Sequence, residues 1–195
     1  GDLRIVDNLG SSILGQLPDI AVDHLGLSAP FFDPASRAVR KLIDRLRPQA
    51  VTVGIQPVLS SYDGRSLVAA LETAPSSEIR HLPESGRLSH GKLIEWIAGG
   101  RYTAMAGSAN LSAAALLRAT SSGGNCELVA FHPVPQPLMP EGETVHHQDV
   151  AVTSTIAAPD AAEAPPSLIL LGARIVAEGT EIELVSPTDQ EVRVE

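Results

Sequence analysis

Between Ile20 and Leu82 the spacing of apolar residues switches from strand to helix and back, and this alternation limits the possible folds more than any other feature of the chain. Ile20–Leu27 reads as a strand that runs into Ser28-Ala29-Pro30-Phe31-Phe32. Asp33-Pro34 then marks a helix start, with Asp as the cap and Pro at the first position, where its missing N–H costs nothing. Val39, Leu42, Ile43 and Leu46 recur at helical spacing, and Pro48 ends the run. Val51–Ile55 is a β-branched strand. Asp63 suits the cap of a second helix whose buried face is Leu67, Val68 and Leu71, and Glu78–Leu82 is a third strand. Strand, helix, strand, helix, strand predicts an α/β domain in which helices flank a sheet.

The rest of the chain reads differently. Leu88–Trp96 and Tyr102–Ser108 are predicted neighbouring strands, with Gly99-Gly100 as a tight hairpin turn between them. Ser112–Arg118 reads as a helix, Ser121–Gly124 as a loop and Cys126–Phe131 as a strand. Residues 1–19 have no strong period beyond a short helix near Ser11–Leu17. From Pro133 the composition turns to Pro, Ala, Glu and Thr, which predicts a linker over 133–166. Leu168–Val176 and Thr180–Val185 are strand-like around Glu178-Gly179, and Glu191–Val194 fits a third strand. The expected organisation is therefore a domain over 1–132, a linker over 133–166 and a β-rich segment over 167–195. That segment is too small to bury a core alone, and it fits as part of a β-sandwich.

Charge separates the same regions. The net charge of −9 argues against a nucleic-acid partner only until it is located. Residues 1–132 carry equal numbers of basic and acidic side chains, so the whole excess lies in 133–195. The expectation is that this acidic tail stays away from any polyanion groove. Arg37, Arg40, Lys41, Arg45 and Arg47 form a basic cluster that reads as a solvated helix face. No apolar run is as long as a membrane span, and no basic-then-apolar leader is visible. Cys126 is the lone cysteine, so no internal disulfide forms, which fits a reducing, cytoplasmic setting.

Six polar residues carry the chemistry, in three pairs each separated by one residue: His90 and Lys92, Ser108 and Asn110, Asn125 and Glu127. In an extended strand residues i and i+2 share a face, so each pair can aim at one point. Imidazole is a nucleophile or acid–base group at neutral pH. Lys92 is suited to the non-bridging oxygens of a phosphate, and Ser108 and Asn110 to hydrogen bonds with the same oxygens. A carboxylate such as Glu127 orients an imidazole and supports its charged form. Asn125 suits the phosphate or the loop. Taken singly, each residue also has a structural reading: Asn110 as a helix cap, Ser108 as a turn residue, Lys92 as a snorkelling side chain, and His90 and Glu127 as surface groups.

The order His90-Gly-Lys92, Gly107-Ser108-Ala109-Asn110-Leu111-Ser112, Asn125-Cys-Glu127 resembles one half-site of the phospholipase D superfamily. The Asp of that motif would fall near Ile97, where no acid stands, and Glu95 would lie on the opposite strand face from Lys92. The missing Asp and retained Asn resemble the His-Lys-Asn variant of tyrosyl-DNA phosphodiesterases and metal-independent nucleases. The resemblance implies a phospholipase D-like mixed β-sheet flanked by helices, a phosphohistidine intermediate and no metal or other cofactor. It implies a site assembled from two His-Lys motifs. His24, His81, His132, His146 and His147 lack a Lys two residues on, so this chain holds one half-site. The second half would come from the same longer chain, for which the Met-less start speaks, or from a homodimer. His146-His147 lack ligand-spaced partners and read as solvent-exposed.

The expected function is thus a metal-independent phosphodiesterase or nuclease acting on nucleic acid, DNA first, with His90, Lys92, Asn110 and Glu127 catalytic and Ser108 and Asn125 supporting. A non-catalytic scaffold of the same fold that binds nucleic acid or a protein is the alternative. A phospholipase ranks behind both, given the missing Asp and the lack of an amphipathic membrane segment.

Overall fold

The computed structural model describes residues 3–83 and 90–156, together with the backbone of 169–176 and 179–185. The chain divides into two units, Gly1–Ile156 and Ala157–Glu195. In the first, the alternation becomes β2 (His24–Ser28), α2 (Arg37–Leu46), β3 (Ala50–Ile55), α3 (Gly64–Leu71) and β4 (Ser77–His81). The three strands are parallel, with Leu25 opposite Val51 and Val53 opposite Ile79. The Asp33 carboxylate accepts from the backbone N–H of Arg37 at 2.8 Å and of Ala38 at 3.0 Å, so it caps a helix that begins slightly later than the Asp-Pro pair suggests. α2 buries Val39, Leu42, Ile43 and Leu46, each worth roughly 1.5–3 kcal/mol of burial. It closes at Arg47, whose left-handed backbone (φ 39°) returns an N–H to the Ile43 carbonyl just before Pro48. Asp63 caps α3 by accepting from Ser66 N–H at 2.9 Å.

β5 (Leu93–Ala98) and β6 (Arg101–Gly107) form the expected hairpin. Gly99 (φ 55°) and Gly100 (φ 73°) both occupy the left-handed region that the tight turn requires. β7 (Leu128–Val134) pairs with β6, and β1 (Arg4–Asp7) pairs with β7, both antiparallel. β1 was not foreseen: of its four residues only Val6 is buried, so it leaves no period to read. α1 (Ile13–Gln16), capped by Ser12, is the short helix expected there. The helix predicted over Ser112–Arg118 is a single π-helical turn, Ala113–Leu117, capped by the Ser112 hydroxyl.

The expected linker is not one over its first part. Residues 133–156 belong to the first unit: β7 continues to Val134, β8 (Glu143–Val145) adds an antiparallel edge beside β4, and α4 (His147–Ala151) packs on α3. Pro-rich composition suggested a chain without partners. Here the buried Glu95 carboxylate accepts from the N–H groups of Leu138 (2.7 Å) and Met139 (3.4 Å), so the segment is a strap held by backbone bonds that its prolines do not disrupt. The remainder of the linker, 157–166, lies outside the described residues, as does the strand expected at Glu191–Val194. The second unit shows the expected hairpin, β9 (Ile169–Val176) and β10 (Gly179–Val185).

The sheet is mixed and eight-stranded, in the order β1-β7-β6-β5-β2-β3-β4-β8. Strand period puts Leu25, Leu27, Val53, Ile79, Ile94, Met105 and Val129 on one face, all buried in the main core. Gly26, Thr52 and Glu95 fall on the other face, beneath the strap. A Cβ on Gly26 would stand 2.8 Å from Glu95 Cγ and 3.2 Å from Met139 Cε. The architecture is α/β, as expected. Among the described residues no helix is long and apolar enough to cross a membrane.

Candidate active site

Strand directions gather the three polar pairs. Ser28 at the carboxyl end of β2 lies opposite Leu93 at the start of β5, and Leu93 lies opposite Ala106 near the end of β6. Gly107, the last residue of β6, lies opposite Val129, and Leu128, the first residue of β7, lies opposite Asp7 at the end of β1. The entry to β5, the exit of β6 and the entry to β7 therefore share the end of the sheet at which β2 and β3 finish. In open α/β sheets ligands bind beyond the carboxyl ends of the strands, where strand order reverses. Here β2 is flanked by parallel β3 on one side and antiparallel β5 on the other, and it is the carboxyl ends of β2 and β3 that share this end.

The pairs stand just outside the strands rather than within them. Strand β5 starts at Leu93 and β7 at Leu128, so His90, Lys92, Asn125 and Glu127 are on the approaches, while Ser108 and Asn110 follow β6. Each spacing of two still brings side chains to one side where contact is made. Lys92, buried, reaches back so that its Nζ lies 2.9 Å from His90 Nδ1 and 2.9 Å from the His90 carbonyl oxygen. An ammonium has donors only. The contact therefore sets the imidazole lone pair on Nδ1 and its proton on Nε2. His90 itself is exposed.

The second cluster is built on Glu127, a buried carboxylate. Ser108 Oγ donates to its Oε2, and Asn125 Nδ2 donates to its Oε1 at 3.2 Å. Ser108 Oγ in turn accepts from Leu128 N–H at 3.0 Å, so its hydrogen-bonding capacity is largely committed within the protein. Gly107 makes this junction possible: a Cβ there would fall 2.3 Å from the Leu128 carbonyl oxygen. Among the described residues Glu127 has no ion-pair partner. A buried carboxylate with hydrogen bonds but no counter-charge is an acceptor suited to a cationic group. The bonds of Glu127 run to Ser108 and Asn125, and none to His90 is found among the described residues. Asn110 stands apart from both clusters. Its Oδ1 is buried without a hydrogen-bond partner among the described residues. Rotating the amide would present the NH2 group instead, and either way a polar atom of Asn110 is uncommitted.

Two residues that sequence reading passed over frame these groups. Asn8, fully buried, accepts at Oδ1 from Glu127 N–H (2.8 Å) and Thr120 Oγ (3.3 Å). It donates from Nδ2 to the carbonyls of Arg118 (3.1 Å) and Asn125 (2.6 Å). It thus pins the loop that carries Asn125 and Glu127, and an isolated Asn after a short edge strand gave no signal of this. Phe31 stands with its ring centroid 6.2 Å from that of His90, the planes 75° apart. A Phe31-Phe32 pair in a chain with three phenylalanines was the available clue.

Lys41 pairs with Asp44, and Arg45 and Arg47 pair with Asp19, so that much of the basic cluster is a solvated helix face. Those arginines hold the Asp19 carboxyl below its ordinary pKa, chiefly through the Arg47 hydrogen bond. His146 is exposed as expected, whereas His147, which begins α4, is only partly exposed, and no cluster of metal-ligating side chains occurs among the described residues.

No family model matches the chain, and no curated protein sequence matches it. Two crystal structures of mutant yeast tyrosyl-DNA phosphodiesterase are similar in structure. One has a TM-score of 0.42 at 12% identity, covering 68% of this chain and 31% of that one. The other has a TM-score of 0.38 at 14% identity, covering 70% and 35%. The chain spans about a third of the length of these structures. At such values the residues at the sheet end, rather than the likeness, carry the functional reading.

Proposed function

We propose that this chain supplies one half of a metal-independent phosphodiesterase site that acts on nucleic acid, with DNA as the first candidate. The observation that carries the reading is the gathering of all three polar pairs at one sheet end. In the acid role His90 is the imidazolium, whose Nε2 proton goes to the leaving oxygen once Lys92 has turned from Nδ1 to the phosphate. For the nucleophilic role its proton moves to Nδ1, and Lys92 exchanges that nitrogen for a non-bridging phosphate oxygen. Nε2 then bonds phosphorus as the ester oxygen departs with a proton from a second imidazole, and water later displaces the phosphoryl group from His90. The uncommitted amide of Asn110 supplies a further donor to the phosphate. Glu127, held by Ser108, Asn125 and Asn8, is the negative charge against which an imidazolium is favoured. The second His-Lys motif comes from another half of a longer chain or from a second copy.

The test, made on the complete two-half protein, is hydrolysis of single-stranded DNA and of bis(p-nitrophenyl) phosphate in EDTA. Wild type is expected to cleave and His90→Ala is not. Equal activity of the two, or a strict need for added metal, removes the reading. The scaffold alternative keeps one observation in its favour, the single His-Lys motif, and it is distinguished by nucleic-acid binding without turnover.

A further inference from the structure

We propose that Phe31 is a stacking platform for an unpaired base, so that the site accepts a single strand in preference to a duplex; this rests on the phosphodiesterase reading above. Of the three phenylalanines, Phe32 and Phe131 are buried at 5% and 8% exposure, whereas Phe31 is 46% exposed. Its backbone is fixed on both sides. Phe31 bridges to Ser61, with Ser61 N–H on the Pro30 carbonyl at 2.7 Å and Phe32 N–H on the Ser61 carbonyl at 2.9 Å. Phe32 bridges to Leu111, the neighbour of Asn110. The backbone of Phe31 is thus held between the Ser61 and Leu111 segments, with its ring centroid 6.2 Å from that of His90. The His90 ring is nearly perpendicular to it, so the imidazole does not stack on Phe31. Ser61 also anchors the turn that carries exposed Val58 and Leu59, which extends the apolar surface at this sheet end.

An exposed aromatic ring beside phosphate-binding groups matches the way single strands are held, with the backbone on polar groups and a base on a π face. A duplex keeps its bases stacked on one another and cannot offer that face without flipping a nucleotide out. A lipid surface is the competing class. It would be read by a broader apolar patch and would not distinguish an aromatic ring from a leucine.

The experiment uses the full chain and three probes: a fluorescein-labelled single-stranded oligonucleotide, its duplex, and phosphatidylcholine vesicles. Phe31→Ala is expected to weaken single-strand binding roughly 5- to 150-fold and to change duplex binding less than about twofold. Phe31→Leu, which keeps apolar bulk without a π face, is expected to fall with Phe31→Ala, and Phe31→Trp to bind as wild type does. Four results overturn the proposal: wild-type affinity in Phe31→Leu, parallel loss on single strand and duplex, no single-strand binding by wild type, or vesicle binding that depends on Phe31. Failure of the underlying reading shows separately, as equal turnover of the base-free bis(p-nitrophenyl) phosphate by the complete two-half protein and its His90→Ala variant.

Discussion

Replacing Asn8 with Ala removes the side chain that ties the 118–127 loop to the end of β1, and the cost can be worked from its bonds. Three hydrogen bonds are lost outright, and the single Thr120 hydroxyl proton, shared between Asn8 and the Asn125 carbonyl, passes to the carbonyl. At a net of about 0.5–1.5 kcal/mol each, the three sum to roughly 1.5–4.5 kcal/mol if independent. They are not independent. The Asn125 carbonyl keeps its bond from Thr120 Oγ at 3.1 Å. The Glu127 N–H is buried and has no such recourse, and an orphaned buried donor alone costs about 1–3 kcal/mol. A total near 3 kcal/mol follows, and for a unit of this size it lowers Tm by roughly 6–12 °C. Thermal unfolding measures the total. Amide hydrogen exchange measures the local part: Glu127 N–H is expected to lose its protection, while amides of β3 keep theirs relative to global stability. A Tm within about 2 °C of wild type, with Glu127 still protected, would show that Asn8 does not hold this loop.

Gly107→Ala is expected to cost about 1–3 kcal/mol in urea unfolding, because its Cβ meets backbone rather than a movable side chain; a neutral result would mean that the β6–β7 junction is looser than described. Asp33→Ala removes the acceptor of the Arg37 and Ala38 N–H groups and is expected to lower stability by roughly 1–2 kcal/mol, with Asp33→Asn recovering part of it in the same titration. Burial holds the half-buried His24 below its ordinary pKa, with Glu95 pulling the other way. Its folded pKa thus lies below the unfolded value of about 6.5, so its contribution is complete above that pH and is lost as pH falls from there through the folded value. His24→Asn, which can still bond Thr52 Oγ, is expected to flatten the pH profile of the urea midpoint in that window, and an unchanged profile would contradict it.

Much of the fold was legible because strong local signals agreed with it. Asp63 with Leu67 and Leu71, the β-branched Val51–Ile55 and the Gly99-Gly100 turn each fix an element by short-range chemistry. What was missed depends on long-range partners. β1 is a strand because β7 lies beside it, and the Pro-rich strap is held by the buried Glu95 together with the β8–β4 pairing that follows it. The candidate site divides the same way. The pairwise spacing of His90/Lys92 and Asn125/Glu127 led to side-chain contacts within each pair. Asn8, more than a hundred residues from its partners, and Phe31, brought to His90 by the β2–β5 pairing, could not be placed by spacing.

The central claim is that His90 forms a covalent bond to phosphorus or protonates the group that leaves. Rapid acid-free quenching of a reaction with 32P-labelled DNA, followed by peptide mapping, tests it most directly on the complete two-half protein. The account expects a base-stable, acid-labile adduct on His90 or on the histidine of the second motif, with formation abolished by His90→Ala. Unimpaired turnover with no adduct on either histidine, or an adduct that forms equally in His90→Ala, would contradict it.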